Sequence, residues 1–308
     1  MRVSPLLLFI ASLFTPVSPS FAESPLFPDE EEPRFTNFSV RGYVGLGDET
    51  MILGFVIAGH SEKTLLIRAV GPGLASVAPD LAPELCHDPK IALYKTDSFG
   101  IVSRVELNDD WEKWENVPFA KSEMARLGAF PLQHGSRDAV LLVTLAPGVY
   151  TAHITCDGGD EGVVIGEIYD RDLWDYGKPD ILNLSVRLWA GGGNKAPIIG
   201  VSFYGGISDV LFRALGPHLE QFGVKGYATD PRLRVVSQGG DVLASNDDWD
   251  ISSQYANVLA GSPLAIGSRD AGFVLRIPYL GHRVESYTMV VGGEGVVLAE
   301  AFNLRYLY

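Results

Sequence analysis

Arg68-Ala69-Val70-Gly71-Pro72 returns in the second half of the chain as Arg213-Ala214-Leu215-Gly216-Pro217. Upstream of it, Asn37-Phe38-Ser39-Val40-Arg41 returns as Asn183-Leu184-Ser185-Val186-Arg187, and downstream Asp88-Pro89 returns as Asp230-Pro231. In the same order, Asn108-Asp109-Asp110-Trp111 matches Asn246-Asp247-Asp248-Trp249, and Gly135-Ser136-Arg137-Asp138-Ala139 matches Gly267-Ser268-Arg269-Asp270-Ala271. Tyr150-Thr151 then matches Tyr287-Thr288, and Gly162-Val163-Val164-Ile165-Gly166-Glu167 matches Gly295-Val296-Val297-Leu298-Ala299-Glu300. Collinear matches along both halves mean one unit written twice. Asp, Gly and Pro cluster between the halves, which places copy 1 at 34–170, a linker at 171–180 and copy 2 at 181–308.

Each copy reads as short strands. Thr64 to Val70, Ala139 to Thr144 and Gly162 to Tyr169 are apolar, β-branched runs bounded by Gly, Pro or Asp, as are Val210 to Leu215, Gly272 to Ile277 and Val296 to Phe302. Strands at this spacing without long helical patterns between them predict an all-β fold of two tandem β-sandwich, jelly-roll-like modules. One short helix is expected in each: Phe119 to Leu127 stopped by Gly128, and Ile251, Tyr255, Val258 and Leu259 stopped by Gly261.

The 308 residues are 46% apolar and 20% charged, with 34 Gly and 19 Pro, a globular and turn-rich composition. A formal charge of −14 argues against nucleic acid or an anionic membrane as partner. Arg2, the apolar run Val3 to Phe14 and the small residues around Ser20-Phe21-Ala22 read as a signal peptide over 1–22, cleaved after Ala22. The mature protein is then expected in a secreted, periplasmic or cell-surface location, opening on an acidic leader over 23–33. No later run approaches the roughly 20 apolar residues of a transmembrane helix. Two cysteines, Cys86 and Cys156, exclude a disulfide-dense scaffold or a Cys-rich zinc site. They stand either as one disulfide or as two thiols.

From Asp88-Pro89 to Tyr169, and from Asp230-Pro231 to Phe302, each copy resembles the bacterial pre-peptidase C-terminal module. The resemblance rests on Leu93-Tyr94, Asn108-Asp109-Asp110, Leu141 to Leu145, the turn Pro147-Gly148-Val149-Tyr150-Thr151 and Gly162 to Glu167. The complete copy is similar to a repeat of unassigned activity in large exported proteins of environmental bacteria. Copy 2 departs from the pattern with Leu280-Gly281-His282 at the Pro-Gly turn, and no peptidase domain precedes the modules. The resemblance implies a small β-sandwich with an accessory rather than a catalytic role.

Two readings of the Asn-Asp-Asp element stand side by side. Asn108, Asp109 and Asp110, with Asp157 and Asp160 of the loop Asp157-Gly158-Gly159-Asp160-Glu161, supply the oxygen ligands that Ca²⁺ takes; Asn246, Asp247 and Asp248 repeat the first three. The same residue types also cap turns and helix starts. The counterpart loop, Gly292-Gly293-Glu294-Gly295, has lost the aspartates, so a cation site is expected first in copy 1. Arg68 and Arg213 lie in apolar strand runs and need carboxylate partners, for which Asp138/Asp270 and Glu167/Glu300 are retained. The six histidines occupy unmatched positions without metalloprotease spacing, and no nucleophile elbow occurs. The leading expectation is a non-catalytic binding or surface-structural protein for carbohydrate or another envelope component. Trp111, Trp114, Trp174, Trp189 and Trp249 are candidate platforms, with Trp111 and Trp249 read as core anchors. The alternatives are an exported glycan hydrolase using a carboxylate pair between the modules, to be probed at Asp109, Asp110 and Asp157, and an assembly subunit joined through strand edges.

Overall fold

Residues 34–114, 117–175, 177–249, 264, 267–278 and 283–304 are described by a computed structural model. The expected signal peptide, acidic leader and second helix, and Leu280-Gly281-His282, lie outside the described residues. Copy 1 contributes β1 (Arg34–Val44), β2 (Met51–Ile57), β3 (Lys63–Val70), β4 (Pro89–Thr96), β5 (Val102–Asn108), β6 (Ala139–Leu145), β7 (Gly148–Cys156) and β8 (Gly162–Asp170). Copy 2 repeats them as β9 (Ile181–Ala190), β10 (Ile198–Tyr204), β11 (Ser208–Leu215), β12 (Arg232–Val236), β13 (Val242–Asn246), β14 (Ala271–Ile277), β15 (Val284–Gly292) and β16 (Gly295–Asn303). The protein is all-β, and α1 (Val117–Arg126) is the helix expected in copy 1.

The strand pairing crosses from one copy to the other. All ladders are antiparallel, and β1 and β2, consecutive in the chain, are not partners of each other. Instead β2 pairs with β9, and β1 pairs with β10. One sheet therefore runs β5-β4-β7-β2-β9-β16-β11-β14 and the other β13-β12-β15-β10-β1-β8-β3-β6, linked in strand register, among the described residues, where Tyr43 lies opposite Trp189. Each copy is a sandwich whose two leaves belong to different sheets. The inner faces meet in one core, where Phe38, Met51 and Leu93 of copy 1 and Val186, Phe203 and Met289 of copy 2 belong to the same buried cluster.

Alternation along the strands decides which residues face outward. The outer face of β3, β6 and β8 carries Leu66, Val70 and Val140, and the segments between strands fold over it: Leu74, Leu81, Trp111 and Met124 bury there. In copy 2 the same face of β11 and β16 is covered by Leu219, Val224, Trp249 and Leu264. The Gly-Pro turn that begins each cover needs its glycine, because a Cβ on Gly71 would run into the Cys86 carbonyl and one on Gly216 into the Ala228 carbonyl. Helix α1 packs on Ala120, Glu123 and Met124 and ends before Gly128, which takes φ +74.

Beneath each cover lies a buried ion pair. Arg68 faces Glu167 across β3 and β8, donating from Nε at 2.8 Å, and its Nη1 donates to the Phe130 carbonyl at 2.7 Å. Arg213 faces Glu300 at 2.6 Å in the matching register. Burial pushes the Glu300 carboxyl above its ordinary range against the pull of Arg213. The structure thus pairs the arginines with the glutamates. Asp138 and Asp270 serve the turns instead, accepting from the N–H groups of Gly71 (2.8 Å) and Gly216 (2.7 Å).

The ion pairs sit in a repeated cross-strand row. Thr288, Gly200, Ser39, Glu167 and Arg68 lie opposite one another in register on β15, β10, β1, β8 and β3. Thr151, Gly54, Ser185, Glu300 and Arg213 form the same row on the other sheet. Each row starts in one copy and ends in the other. A Cβ on Gly200 would come within 2.6 Å of the Ser39 hydroxyl, so this position holds the exchange close. The linker is fastened too: Arg34 meets Asp180 at 2.7 Å and donates to the carbonyls of Leu173 and Lys178, both at 3.1 Å. Nearby, Lys63 and Asp170 are both buried, 2.8 Å apart, and burial raises the Asp170 carboxyl to about 6 against Lys63.

Two outcomes follow from the shared sheets and the buried pairs. Cutting the chain at a protease site inserted beside the exposed Gly177 is expected to leave both halves co-eluting on size exclusion; separate, folded halves would contradict the strand exchange. Arg68→Met is expected to cost about 3–5 kcal/mol in urea unfolding, with most of it recovered when Glu167→Leu is added, because the lone buried charge rather than the lost pair dominates.

Candidate functional site

Among the described residues, the outer faces of the β5-β4-β7-β2 leaf and of its counterpart β13-β12-β15-β10 are not roofed by the cover segments that bury the other leaves. Their outward residues include Lys90, Ala92 and Tyr94 on β4 and Arg232 and Arg234 on β12, all exposed or half-buried. The expected acidic cluster lies beside this face, at the ends of β5 and β7.

Asn108 and Asn246 build the turn. The Asn108 carboxamide oxygen accepts from the Val140 N–H at 2.8 Å and its Nδ2 donates to the Asp110 carbonyl at 3.1 Å. Asn246 makes the same two bonds, to Gly272 N–H and Asp248 O, each at 2.9 Å. Of the aspartates in copy 1, Asp109 and Asp157 lie on either side of a lysine, while Asp110 and Asp160 turn to other partners. Lys90 Nζ lies 3.1 Å from Asp157 and 4.0 Å from Asp109. Asp110 pairs with Lys113, Asp88 pairs with Arg137, and Asp160 accepts from the His87 N–H at 2.9 Å. Lys90 beside Asp157 holds that carboxyl below the usual carboxylate range. Among the described residues, no group of three or more His, Cys, Asp or Glu side chains is arranged to hold a metal ion.

Copy 2 keeps the plan with fewer acids. Arg232 takes the place of Lys90 and meets Asp247 at 3.0 Å, and Arg269 stands 4.0 Å from Asp230 as Arg137 does beside Asp88. Because Gly292-Gly293-Glu294 replaces the aspartate loop, Arg232 has no counterpart of Asp157. A groove of about 820 Å³ opens here, lined by Arg232, Arg234, Ser245, Asp247, Asp248 and Val290 among others. Lys90 and Arg232 were the ligand-competing residues to look for: both follow Asp-Pro by one position, a basic residue retained next to a retained acid.

The remaining sequence candidates disperse. Trp111 is fully buried, its indole N–H donating to Ser136 at 3.2 Å, and Trp249 is buried in the copy 2 cover. Trp189 is half-buried against that cluster and Trp114 is half-buried. Trp174 is 56% exposed, edge-on to Tyr204 with ring centroids 4.6 Å apart. His153 is held neutral, its pKa lowered to about 4 by burial and by Arg187. Cys86 and Cys156 form a disulfide with Cα atoms 5.9 Å apart, closing a 70-residue separation. A loop of that length is worth about 4 kcal/mol in chain-entropy terms. It anchors the entrance to β4 beside the end of β7, where Pro89 and Cys156 are paired.

Compared with known protein families and with curated proteins, the chain matches none. Among the described residues no helix is long and apolar enough to cross a membrane.

If Lys90 supplies the positive charge that Asp109 and Asp157 need, Lys90→Ala is expected to lower the melting temperature and to make it rise again with added CaCl₂. The parent protein is expected to respond to CaCl₂ by less than the variant, and an equal response in both would show that Lys90 does not fill that role.

Proposed function

We propose that this protein is exported and acts as a non-catalytic binding or surface-structural protein, holding a carbohydrate or another envelope polymer on the unroofed faces of its leaves. The observation that carries this reading is the ion pairing of the acidic cluster. Acid catalysis on a glycan needs a carboxyl whose pKa is raised so that it keeps its proton. Asp157 instead lies against Lys90 and is lowered, while Asp110 and Asp88 are tied to Lys113 and Arg137. An open groove on one unroofed face, lined by Arg232, Arg234, Asp247 and Asp248 among others, offers area for a polymer.

Export is supported by the signal-like start ending at Ala22 and by the disulfide, which persists in oxidising compartments. The likeness of each copy to the pre-peptidase C-terminal module agrees with an accessory role.

The test is retention of the mature protein, starting at Glu23, on insoluble cell-wall fragments and polysaccharides. Retention on at least one polymer without release of reducing ends over time is expected. No retention on any of them, or steady release of reducing ends, would overturn the reading.

A further inference from the structure

The two unroofed faces carry equivalent cross-strand rows that have diverged in chemistry. In copy 1 the row is Leu107, Ala92, His153, Ile52 and Arg187. Its centre and inner end are closed, with the Arg187 side chain 5% exposed, Ile52 buried and Tyr94 on the His153 ring at 4.8 Å, while Leu107 at the outer end is exposed. In copy 2 the matching row is Ser245, Arg234, Val290, Ile198 and Arg41. Here Ala92 has become Arg234 and His153 has become Val290, and the row is open, with Ile198 42% exposed and Arg234 exposed.

Arg234 makes no ion pair or side-chain hydrogen bond among the described residues. Arg232, two positions earlier on the same face, is tied to Asp247 at 3.0 Å, and Asp248 is the groove's other acid. At the other end of the row, Arg41 donates once, to the Ala196 carbonyl at 3.3 Å, and its Nε is buried without a partner. Lys195 lies beyond it over the Tyr43 ring at 3.8 Å. Three strand spacings of about 4.8 Å put Arg234 and Arg41 roughly 14 Å apart. Between them Val290 and Ile198 form an apolar strip.

We infer that this row binds an anionic polysaccharide, with Arg234 and Arg41 each taking a carboxylate and the Val290-Ile198 strip receiving the apolar face of the sugar ring between them. The inference rests on the binding role proposed above and names the class of ligand. A guanidinium presents a planar fork that matches a carboxylate in two parallel hydrogen bonds. An apolar strip between two such forks suits a polymer whose charges are spaced by rings. The formal charge of −14 weighs against a polyanion as a whole, but at physiological salt that field decays over about 8 Å, so the cations of the row act locally.

Affinity electrophoresis of the whole mature protein tests it, in gels cast with polygalacturonate, with the fully methyl-esterified polymer and with single-stranded DNA. Retardation by polygalacturonate alone is expected, weakened about tenfold in Arg234→Ala and also weakened in Arg41→Ala, with Lys225→Ala unchanged. Arg234 is exposed, so its variant keeps the fold, which the melting temperature verifies. Retardation by the esterified polymer that Arg234→Ala leaves intact would overturn the anionic ligand while the binding role stands. Equal retardation by DNA, or no retardation in the polygalacturonate gel, would also overturn it; the binding role falls only if the insoluble polymers fail as well.

Discussion

The hydrogen bonds from β2 to β9 and from β1 to β10 decide everything else in this fold. A β-strand within a sheet needs two partners, and neither copy supplies both for its own first two strands. By lending those edges to each other the copies become two continuous sheets over one core. The repeated motifs then acquire separate tasks. Asn-x-Ser-x-Arg strands and Gly54 and Gly200 form the exchange, while Arg-Ala-x-Gly-Pro, Gly-Ser-Arg-Asp and the closing glutamate fasten each cover to its leaf.

Much of this was legible in the amino-acid order. The all-β class and the positions of β3, β6 and β8 follow from β-branched runs whose chemistry fits few alternatives. The need of Arg68 and Arg213 for carboxylates was also plain. Which carboxylate was not, because Glu167 and Asp138 are equally retained, and only the β3-β8 register puts Glu167 opposite Arg68. The exchange between copies left no mark of its own. Ser39 and Ser185, or Gly54 and Gly200, are the same residue in both copies, so pairing within a copy and pairing between copies read alike.

The acidic residues follow a similar logic. As a string, Asn-Asp-Asp and Asp-Gly-Gly-Asp suggest hard oxygen ligands. In space the asparagine closes the turn, Asp109 and Asp157 lie on either side of Lys90, which reaches them from β4, and Asp110 and Asp160 go to Lys113 and His87. A long flexible ammonium carries one charge where a calcium ion would carry two, and it arrives already attached to the fold. Copy 2, with arginine in that place and the second acid loop lost, is correspondingly less negative at this spot, and that difference separates two otherwise equivalent surfaces.

The covers sit diagonally. Each lies on the half of a sheet that belongs to its own copy, and the two sheets present opposite outer surfaces, so the roofed half on one side backs onto the open half on the other. The molecule therefore has a front and a back that differ by a half turn. Its two open faces look away from each other across a double sheet only about 10 Å from layer to layer. A clamp closes on one object; here anything that lay on one open face would be kept from the other by the thickness of the core.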